Sequence, residues 1–274
     1  MFSKTIQTFA ETARAKAEIS RARPLAFLIS SAMAGAYVGI GIILIFGLGQ
    51  AADASWRSLV MGTSFGIALT LVIFAGSELF TGHTMFMTLG VMSRSVEMSS
   101  LGRTWVMSWV GNLIGAALLA VIFKLGGGGA VLKHGADLIY NVAAAKMNAP
   151  ALQLVARAAL CNWLVCLAIW TSARTTSDAA KCILIFWCLF AFIASGFEHS
   201  VANMTVLSIA LLGDHPASVS LGGMAYNLLW VTIGNIIGGA IFVGLGYWLA
   251  NTEEVKVPRV QMQPVAAADP ALSS

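Results

Sequence analysis

The sequence predicts an all-α membrane protein with six transmembrane helices, arranged as two inverted three-helix repeats. Only 10% of the 274 residues are charged, 58% are hydrophobic and the mean hydropathy is +0.82, whereas a soluble domain carries about a quarter charged residues. Two apolar runs are too long for one span of about 20 residues and too short for two, and both carry polar groups at their centres. Two short motifs also recur at nearly the same spacing.

The N-terminal segment, residues 1–24, places apolar residues at helical spacing among basic ones and reaches Pro24 at its end. This pattern predicts an amphipathic helix, and its charge content is too high for a signal peptide. We expect it to be cytoplasmic and to lie against the membrane or a neighbouring subunit. Residues 25–251 then form the membrane domain, and residues 252–274, charged and then rich in Pro, Ala and Ser, are expected to be a disordered cytoplasmic tail.

Four of the six predicted crossings are simple apolar runs, at residues 26–46, 105–123, 151–170 and 222–250. A Gly-rich polar connection, residues 126–150, separates the second of these from the third. The other two crossings are the over-long runs 59–92 and 183–212, whose centres read AGSELFTGHT (75–84) and SGFEHSVANM (195–204). Each of these crossings is expected to be two half-helices around a short irregular loop.

Polar residues at these centres need a reason. An acidic residue at the middle of a membrane helix costs roughly 2.5–3.5 kcal/mol on insertion scales, yet Glu198 and His199 stand side by side in the second run. Irregular backbone at membrane depth is tolerated only where protein buries it or a cavity hydrates it. Two interpretations stay open: a polar pair that ties a helix bundle together, or a helix broken at the midplane with His199 facing a solute path.

The internal repeat decides the architecture. Gly76-Ser77-Glu78 recurs as Gly196-Phe197-Glu198, 120 residues later, and GNLIG (111–115) recurs as GNIIG (234–238), 123 residues later. The copies cover about residues 25–125 and 150–250. Because each copy has an odd number of crossings, the second must be inserted upside down, and inverted repeats with paired broken helices place a solute site near the midplane between them.

The basic residues predict the orientation. With the N-terminus inside, the cytoplasmic set outnumbers the external set, as the positive-inside rule requires. The cytoplasmic set is Lys4, Arg14, Lys16, Arg21, Arg23, Arg94, Arg103, Arg174, Lys181, Lys256 and Arg259, and the external set is Arg57, Lys124, Lys133 and Lys146. These residues lie at the ends of apolar runs and form no patch, so the net charge of +4 does not indicate nucleic-acid binding.

The expected chemistry at the midplane concerns small anions. A half-helix that begins there points about half a positive charge at the centre, and Lys146 would add to the attraction. Because His199 titrates near neutral pH, it could become charged when an anion arrives or hand it a proton. Asn162 and Asn235 could orient the ring or the solute, or could simply make interhelical hydrogen bonds. Candidate apolar constrictions, for which ordinary packing is the alternative, are Phe65, Leu69, Leu79, Phe80 and Phe192.

Three stretches, ELFTG (78–82), GFEHSVANM (196–204) and VTIGN (231–235), resemble the formate/nitrite transporter family over about residues 20–250. Residues 76–85 and 161–166 are similar to the family's nitrite channels. The resemblance implies an aquaporin-like fold, a homopentamer with one pore per subunit, and passage of small monovalent anions or their acids across the bacterial inner membrane. It assigns the central pore histidine to His199, its partner threonine to Thr81, polar contacts to Asn235, Lys146 and Asn162, and constrictions to Leu69, Leu79, Phe65 and Phe192.

The main hypothesis is therefore a nitrite channel that also passes formate, with Glu198 beside the pore histidine and protons as a second partner. A formate or hydrosulfide channel of the same family is the first alternative. A neutral-solute pore of the aquaporin type lacks its Asn-Pro-Ala signatures, since residues 148–150 read Asn-Ala-Pro and 202–204 read Ala-Asn-Met. A haem-binding electron-transfer subunit would use His83 and His199 as axial ligands. No cofactor, metal site or catalytic set is expected, and the four cysteines match no metal-site spacing.

Overall fold

The computed structural model describes residues 2–251 and 255, and the regular secondary structure of that part of the chain is helical. The predicted tail, residues 252–274, lies outside the described residues except for Val255. In chain order the helices are α1 Ser3–Ala22, α2 Pro24–Ala51, α3 Arg57–Ser64, α4 Ile67–Ala75, α5 Phe80–Met92, α6 Met98–Leu125, α7 Gly129–Leu132, α8 Leu138–Met147, α9 Ala151–Ser172, α10 Asp178–Ala194, α11 Ser200–Leu212, α12 Leu221–Ile236, a π-helix Ile237–Leu245, and α13 Gly246–Leu249.

The prediction of an all-α membrane protein is confirmed. Across the described part of the chain, 5 helical stretches are long and apolar enough to span a bilayer, by length and composition: Pro24–Ala51, Arg57–Ala75, Met98–Leu125, Ala151–Ser172 and Leu221–Leu249. α10 is shorter, at 17 residues, and the apolar helix α11 follows it. Large apolar side chains such as Leu25, Ile122 and Leu229 are exposed on these helices, as lipid-facing side chains are.

Several helices extend beyond the sequence-based boundaries. α6 begins at Met98 rather than near residue 105, and its Arg103 donates to the Ala17 carbonyl and the Ser20 hydroxyl of α1. The Gly-rich polar connection, residues 126–150, contains α7 and α8. α8 buries Ile139 and Ala143 against the rest of the chain and carries Lys146 in its last turn, so this lysine has a fixed position.

The N-terminal helix packs on its own chain. α1 buries Ile6 and Phe9, and the Phe9 ring stacks on Phe86 of α5 at 5.3 Å and on Trp170 of α9 at 5.6 Å. These two apolar side chains thus contact α5 and α9 of the same chain, and contact of α1 with the membrane or a neighbouring subunit stays a prediction. Charge alone could not show this, because an amphipathic helix presents the same pattern to a bilayer and to a protein surface.

Close contacts between glycines and carbonyl groups join the long helices in pairs. On α6, methyl groups added at Gly111 and Gly115 would meet the Leu28 and Ala32 carbonyl oxygens of α2 at 3.0 and 1.8 Å. On the last membrane helix, methyl groups at Gly234 and Gly238 would meet the Val155 and Ala159 carbonyl oxygens of α9 at 2.3 and 2.2 Å. Small residues at such contacts let helix backbones approach closely. The recurring glycines of the two motifs therefore allow the same close helix packing in both halves.

Gly115→Ala should destabilise the folded protein by about 1–3 kcal/mol, the usual cost of overpacking, because the added methyl group would lie 1.8 Å from the Ala32 oxygen. Thermal unfolding of the purified protein in detergent measures the effect. The control is Gly47→Ala on α2, where an added methyl group meets nothing within 4 Å and alanine improves helix propensity. Equal melting temperatures for the two variants would contradict the contact.

Candidate functional site

Two short interruptions lie at corresponding places in the two halves. Residues 76–79 separate α4 from α5, and residues 195–199 separate α10 from α11. Gly76 and Gly196 have positive φ angles of 74° and 68°, the left-handed conformation with which many helices end. In both, the next N–H returns to the preceding helix: Ser77 donates to the Val72 carbonyl at 3.1 Å and Phe197 to the Phe192 carbonyl at 3.0 Å. We call residues 76–79 the first break and residues 195–199 the second break.

An asparagine from a long helix closes each break. Asn112 of α6 donates to the Ser31 and Glu78 carbonyl oxygens at 2.7 and 2.9 Å and accepts the N–H of Phe80 at 2.9 Å. Asn235 of α12 makes the corresponding three hydrogen bonds at the second break. It donates to the Ala158 and Glu198 carbonyl oxygens at 2.9 and 3.0 Å and accepts the N–H of Ser200 at 2.8 Å. Both side chains are fully buried, so backbone groups released at each break find partners in protein.

Each break also carries a buried glutamate paired with a lysine from the helix that precedes its half of the chain. Lys16 of α1 lies 2.5 Å from Glu78, and Lys146 of α8 lies 2.8 Å from Glu198. The second carboxylate partner is His83 at 2.8 Å for Glu78, whereas Asn203 donates to Glu198 at 2.6 Å. Since an uncompensated buried charge is strongly destabilising, these partners explain how both glutamates are accommodated.

The two halves meet at His199. Its Nδ1 accepts the N–H of Ala202 at 3.1 Å and thereby caps α11. Because Nδ1 is an acceptor, the neutral ring carries its proton on Nε2, an assignment that follows from the hydrogen-bond network. Nε2 lies 3.2 Å from the hydroxyl oxygen of Thr81 in the first turn of α5. The Nε2–H therefore donates to Thr81, which leaves the hydroxyl proton of Thr81 for another acceptor.

A narrow apolar cavity lies beside this pair. The His199 ring stacks on Phe192 at 5.9 Å, and Phe192 meets Phe65 edge-on at 5.5 Å. Of the described residues that line the cavity, one has a polar side chain, His199. The lining residues are Val38, Phe65, Ala68, Leu69, Leu79, Val165, Leu189, Phe192 and His199. Four of the predicted constriction residues thus line it. The fifth, Phe80, does not, because its ring lies against Trp105.

The predicted asparagines make interhelical hydrogen bonds, the alternative that the sequence held open. Asn162 is fully buried and its amide nitrogen lies 2.7 Å from the Asn235 carbonyl oxygen and 2.9 Å from the Thr84 hydroxyl. Four residues that bond to the breaks or to the half-helices after them were not predicted as channel residues, and His83 was considered only as a haem ligand: Lys16, His83, Asn112 and Asn203. The repeat offers a signal for Asn112, which is the counterpart of Asn235, but Lys16 is 62 positions from Glu78 and no local pattern joins them.

The haem hypothesis finds no geometric support. The Nε2 atoms of His83 and His199 are directed at Glu78 and Thr81 within the same chain. Among the described residues no group of three or more His, Cys, Asp or Glu side chains is placed to hold a metal ion.

Comparison with known proteins identifies the family. The family model described as formate/nitrite transporter matches residues 3–249. The chain belongs to the formate/nitrite transporter family. It is 54% identical over 251 residues to the nitrite transporter NirC of Escherichia coli (strain K12), covering 92% of this chain and 93% of that relative. This family membership confirms that the chain is a transport protein rather than an enzyme.

Solved structures of the formate/nitrite transporter family have the same fold. One described as an FNT family ion channel superposes with a TM-score of 0.89 at 53% identity, covering 91% of this chain and 100% of the other. A second, described as a pentameric formate channel with formate bound, gives a TM-score of 0.69 at 28% identity, covering 81% of this chain and 95% of the other.

The contact between Lys16 and Glu78 yields a test. Lys16→Met should increase hydrogen–deuterium exchange in the C-terminal half of α1 by roughly tenfold, as expected for the loss of one charge-assisted hydrogen bond. Mass spectrometry of the detergent-solubilised protein measures it. Lys4→Met is the control, because Lys4 is exposed on the same helix. Unchanged exchange in Lys16→Met, or equal increases in both variants, would show that the ion pair does not hold α1.

Proposed function

We propose that this chain is one subunit of a homopentameric nitrite channel in the bacterial inner (cytoplasmic) membrane, where formate and similar small monovalent anions use the same pore. The observation that carries the proposal is the His199–Thr81 pair, one side chain from each half of the chain, in which His199 lines an otherwise apolar cavity. The pentamer is supported by the related formate channel, which is described as pentameric, and the membrane domain by the apolar helices of residues 25–251.

The proposed architecture is six crossings in two inverted copies, with the crossings at α3–α5 and α10–α11 broken near the midplane. Support comes from the matched bonds of Asn112 and Asn235 and from the matched glycine contacts of the long helices. An even number of crossings places both termini on one side, and the N–H of Phe2 donates to the Asn251 side chain at 3.3 Å. The contacts of Arg103 and Arg174 with α1 agree with a cytoplasmic location for that side.

The proposed path runs past Lys146 and Glu198, through the apolar cavity, and past Thr81. The Lys146 ammonium, with 18% of its side chain exposed, attracts anions toward the second break. Phe65, Leu69, Leu79 and Phe192 form the apolar constrictions that exclude hydrated ions, while Asn235 and Asn162 hold the surrounding backbone in place. Phe80 supports the wall from behind, through Trp105.

The proposed chemistry follows from the hydrogen bonds of His199. An anion that reaches the pair can accept the hydroxyl proton of Thr81, whose oxygen already accepts from Nε2. A negative charge beside the ring favours its protonated form, but a second proton must go to Nδ1 and therefore breaks the bond from the Ala202 N–H. Permeation and protonation are coupled in this way: bulk water supplies the proton that forms the imidazolium while an anion is present. The Nε2 proton then passes to the Thr81 oxygen as the Thr81 hydroxyl proton passes to the anion, which crosses the apolar segments as the neutral acid. The ring is left neutral with its proton on Nδ1, and proton exchange with water restores the Nε2–H form that accepts the Ala202 N–H.

We propose nitrite rather than formate as the principal substrate because this chain is more similar in sequence to a nitrite transporter than to the solved formate channel. The nitrite transporter is 54% identical to this chain, whereas the solved formate channel is 28% identical. Both anions are bent, monovalent and of similar size, and recognition by shape yields modest discrimination. A formate or hydrosulfide channel is the second candidate, and flux ranking in one preparation separates the two.

His199→Asn should flatten the pH dependence of nitrite flux into proteoliposomes between about pH 5 and pH 8, the range in which an ordinary histidine titrates. Asparagine is the informative replacement because it is among the best helix N-caps and can still accept the Ala202 N–H, so α11 keeps its start. Nitrite, formate, hydrosulfide and chloride are compared in the wild type and in the variant.

The outcomes separate substrate from mechanism. Nitrite flux above formate and hydrosulfide, with a flattened profile in His199→Asn, supports both parts of the proposal. A different leading anion changes the substrate and leaves the mechanism in place. An unchanged pH profile in the variant shows that His199 is a structural tie, and a wild type that passes none of the anions overturns the channel proposal.

A further inference from the structure

The two halves of the chain differ at one position beside the asparagines that close the breaks. In the first half, Gly35 of α2 faces the Asn112 carbonyl so closely that an added methyl group would lie 2.0 Å from its oxygen. In the second half, Asn162 of α9 faces the corresponding carbonyl, and its amide donates to the Asn235 oxygen at 2.7 Å. A bare backbone contact in one half is therefore replaced by a side-chain hydrogen bond in the other.

The last membrane helix is irregular at this same point. In an α-helix the Asn235 carbonyl would accept the N–H four residues on, at Gly239; here the π-helix Ile237–Leu245 begins two residues after Asn235. A side chain inserted into the helical ladder is a recognised cause of such a distortion. The corresponding helix of the first half, α6, has no inserted side chain and runs as one α-helix from Met98 to Leu125.

The same amide reaches the first break. The Asn162 amide nitrogen lies 2.9 Å from the Thr84 hydroxyl and 3.2 Å from the Thr81 carbonyl oxygen. The Thr84 hydroxyl in turn donates to that carbonyl at 2.6 Å. A methyl group at Gly239 would lie 1.9 Å from the Thr84 oxygen and 2.6 Å from the Asn162 nitrogen, so only a glycine of the π-helix fits over this cluster.

These bonds connect the two residues of the pore pair through the protein. Asn235 holds the Glu198 carbonyl and the Ser200 N–H on either side of His199; the Asn235 carbonyl is held by Asn162, and Asn162 holds Thr81. Asn162 and Thr84 are both fully buried and neither lines the cavity. Their role is therefore exerted through Thr81.

We infer that Asn162 and Thr84 are positioning residues that set the distance between the Thr81 hydroxyl and His199, and that the π-helix with Gly239 exists to make room for them. The inference rests on the proposed pore role of Thr81 and His199. It also explains why the two halves differ here: only the second half supplies the pore histidine, and its partner threonine comes from the first.

The test uses substitutions that remove hydrogen bonds and keep shape. Thr84→Val and Asn162→Leu should change the nitrite-to-formate flux ratio by roughly three- to tenfold, the effect of one displaced hydrogen bond, and should shift the pH profile of nitrite flux. Thr88→Val is the matched control: Thr88 is one turn further along α5, and its hydroxyl donates to the Thr84 carbonyl and not to Thr81. Thr84→Ser, which keeps the hydroxyl, should rescue the wild-type ratio.

A double-substitution comparison identifies the route. If Asn162 acts through Thr81, Asn162→Leu should have no further effect on flux ratio or pH profile in a Thr81→Val background. Independent effects of the two substitutions, or equal effects of Thr84→Val and Thr88→Val, overturn the inference. Size-exclusion chromatography of each variant checks assembly, and Thr84→Val remains available where Asn162→Leu fails to fold.

A readout that needs no transport separates this inference from the proposed function. Nitrogen-15 NMR of histidine-labelled protein, with His199→Asn to assign the ring, reports the hydrogen bond at Nε2. Thr84→Val should move the His199 Nε2 signal in the same direction as Thr81→Val, and Thr88→Val should leave it in place. An unmoved signal in Thr84→Val contradicts the inference, whichever anion the protein carries.

Discussion

The structure depends on one constraint: each break releases backbone N–H and C=O groups where no bulk water is available to satisfy them. An unsatisfied polar group in hydrocarbon costs several kcal/mol, so the backbone groups at each interruption need a hydrogen-bond partner at a fixed place. Asn112 and Asn235 are those partners, and each donates to the carbonyl of the break's glutamate and accepts the N–H that opens the next half-helix. An amide side chain suits this position because it is both donor and acceptor and carries no charge.

The asparagines can reach the breaks only because the long helices lie so close together. Gly115 of α6 sits against the backbone of α2, and Gly238 sits against α9; larger residues would move Asn112 and Asn235, a few residues away on the same helices, out of reach. In the GNLIG and GNIIG motifs the glycines therefore set the distance between the helices, and the asparagine forms the hydrogen bonds that this short distance permits. The buried glutamates, whose carbonyl groups the asparagines hold, also tie α1 and α8 to the breaks, because their lysine partners lie on those helices.

The sequence predicted the parts of this arrangement that repeat, and it missed the parts that depend on contacts between distant segments. Two matching motifs mark the segments 76–79 and 195–199, where the helices are interrupted, and the glycines at which the long helices meet; the pairing of His199 with Thr81 was implied by the family resemblance. The packing of α1 on α5, the pairing of Lys16 with Glu78 and the helical state of residues 138–147 were not predicted. An amphipathic pattern gives the buried face of a helix and not its partner, and the π-helix depends on Asn162, which lies 73 positions from Asn235.

The repeat supplies the scaffold, and the departures from it supply the chemistry. At equivalent places in the two breaks, Leu79 stands where the second half has His199, and Val201 stands where the first half has Thr81. Two exact copies of the first half would place a leucine beside Thr81, and two exact copies of the second half would place a valine beside His199; the observed exchange pairs Thr81 with His199, and His199 lines the apolar cavity. A single polar pair needs a side chain that positions it in one half of the chain only. Asn162 is that side chain, whereas its counterpart in the first half is Gly35, and the last helix of the second half accommodates the larger residue by forming the π-helix.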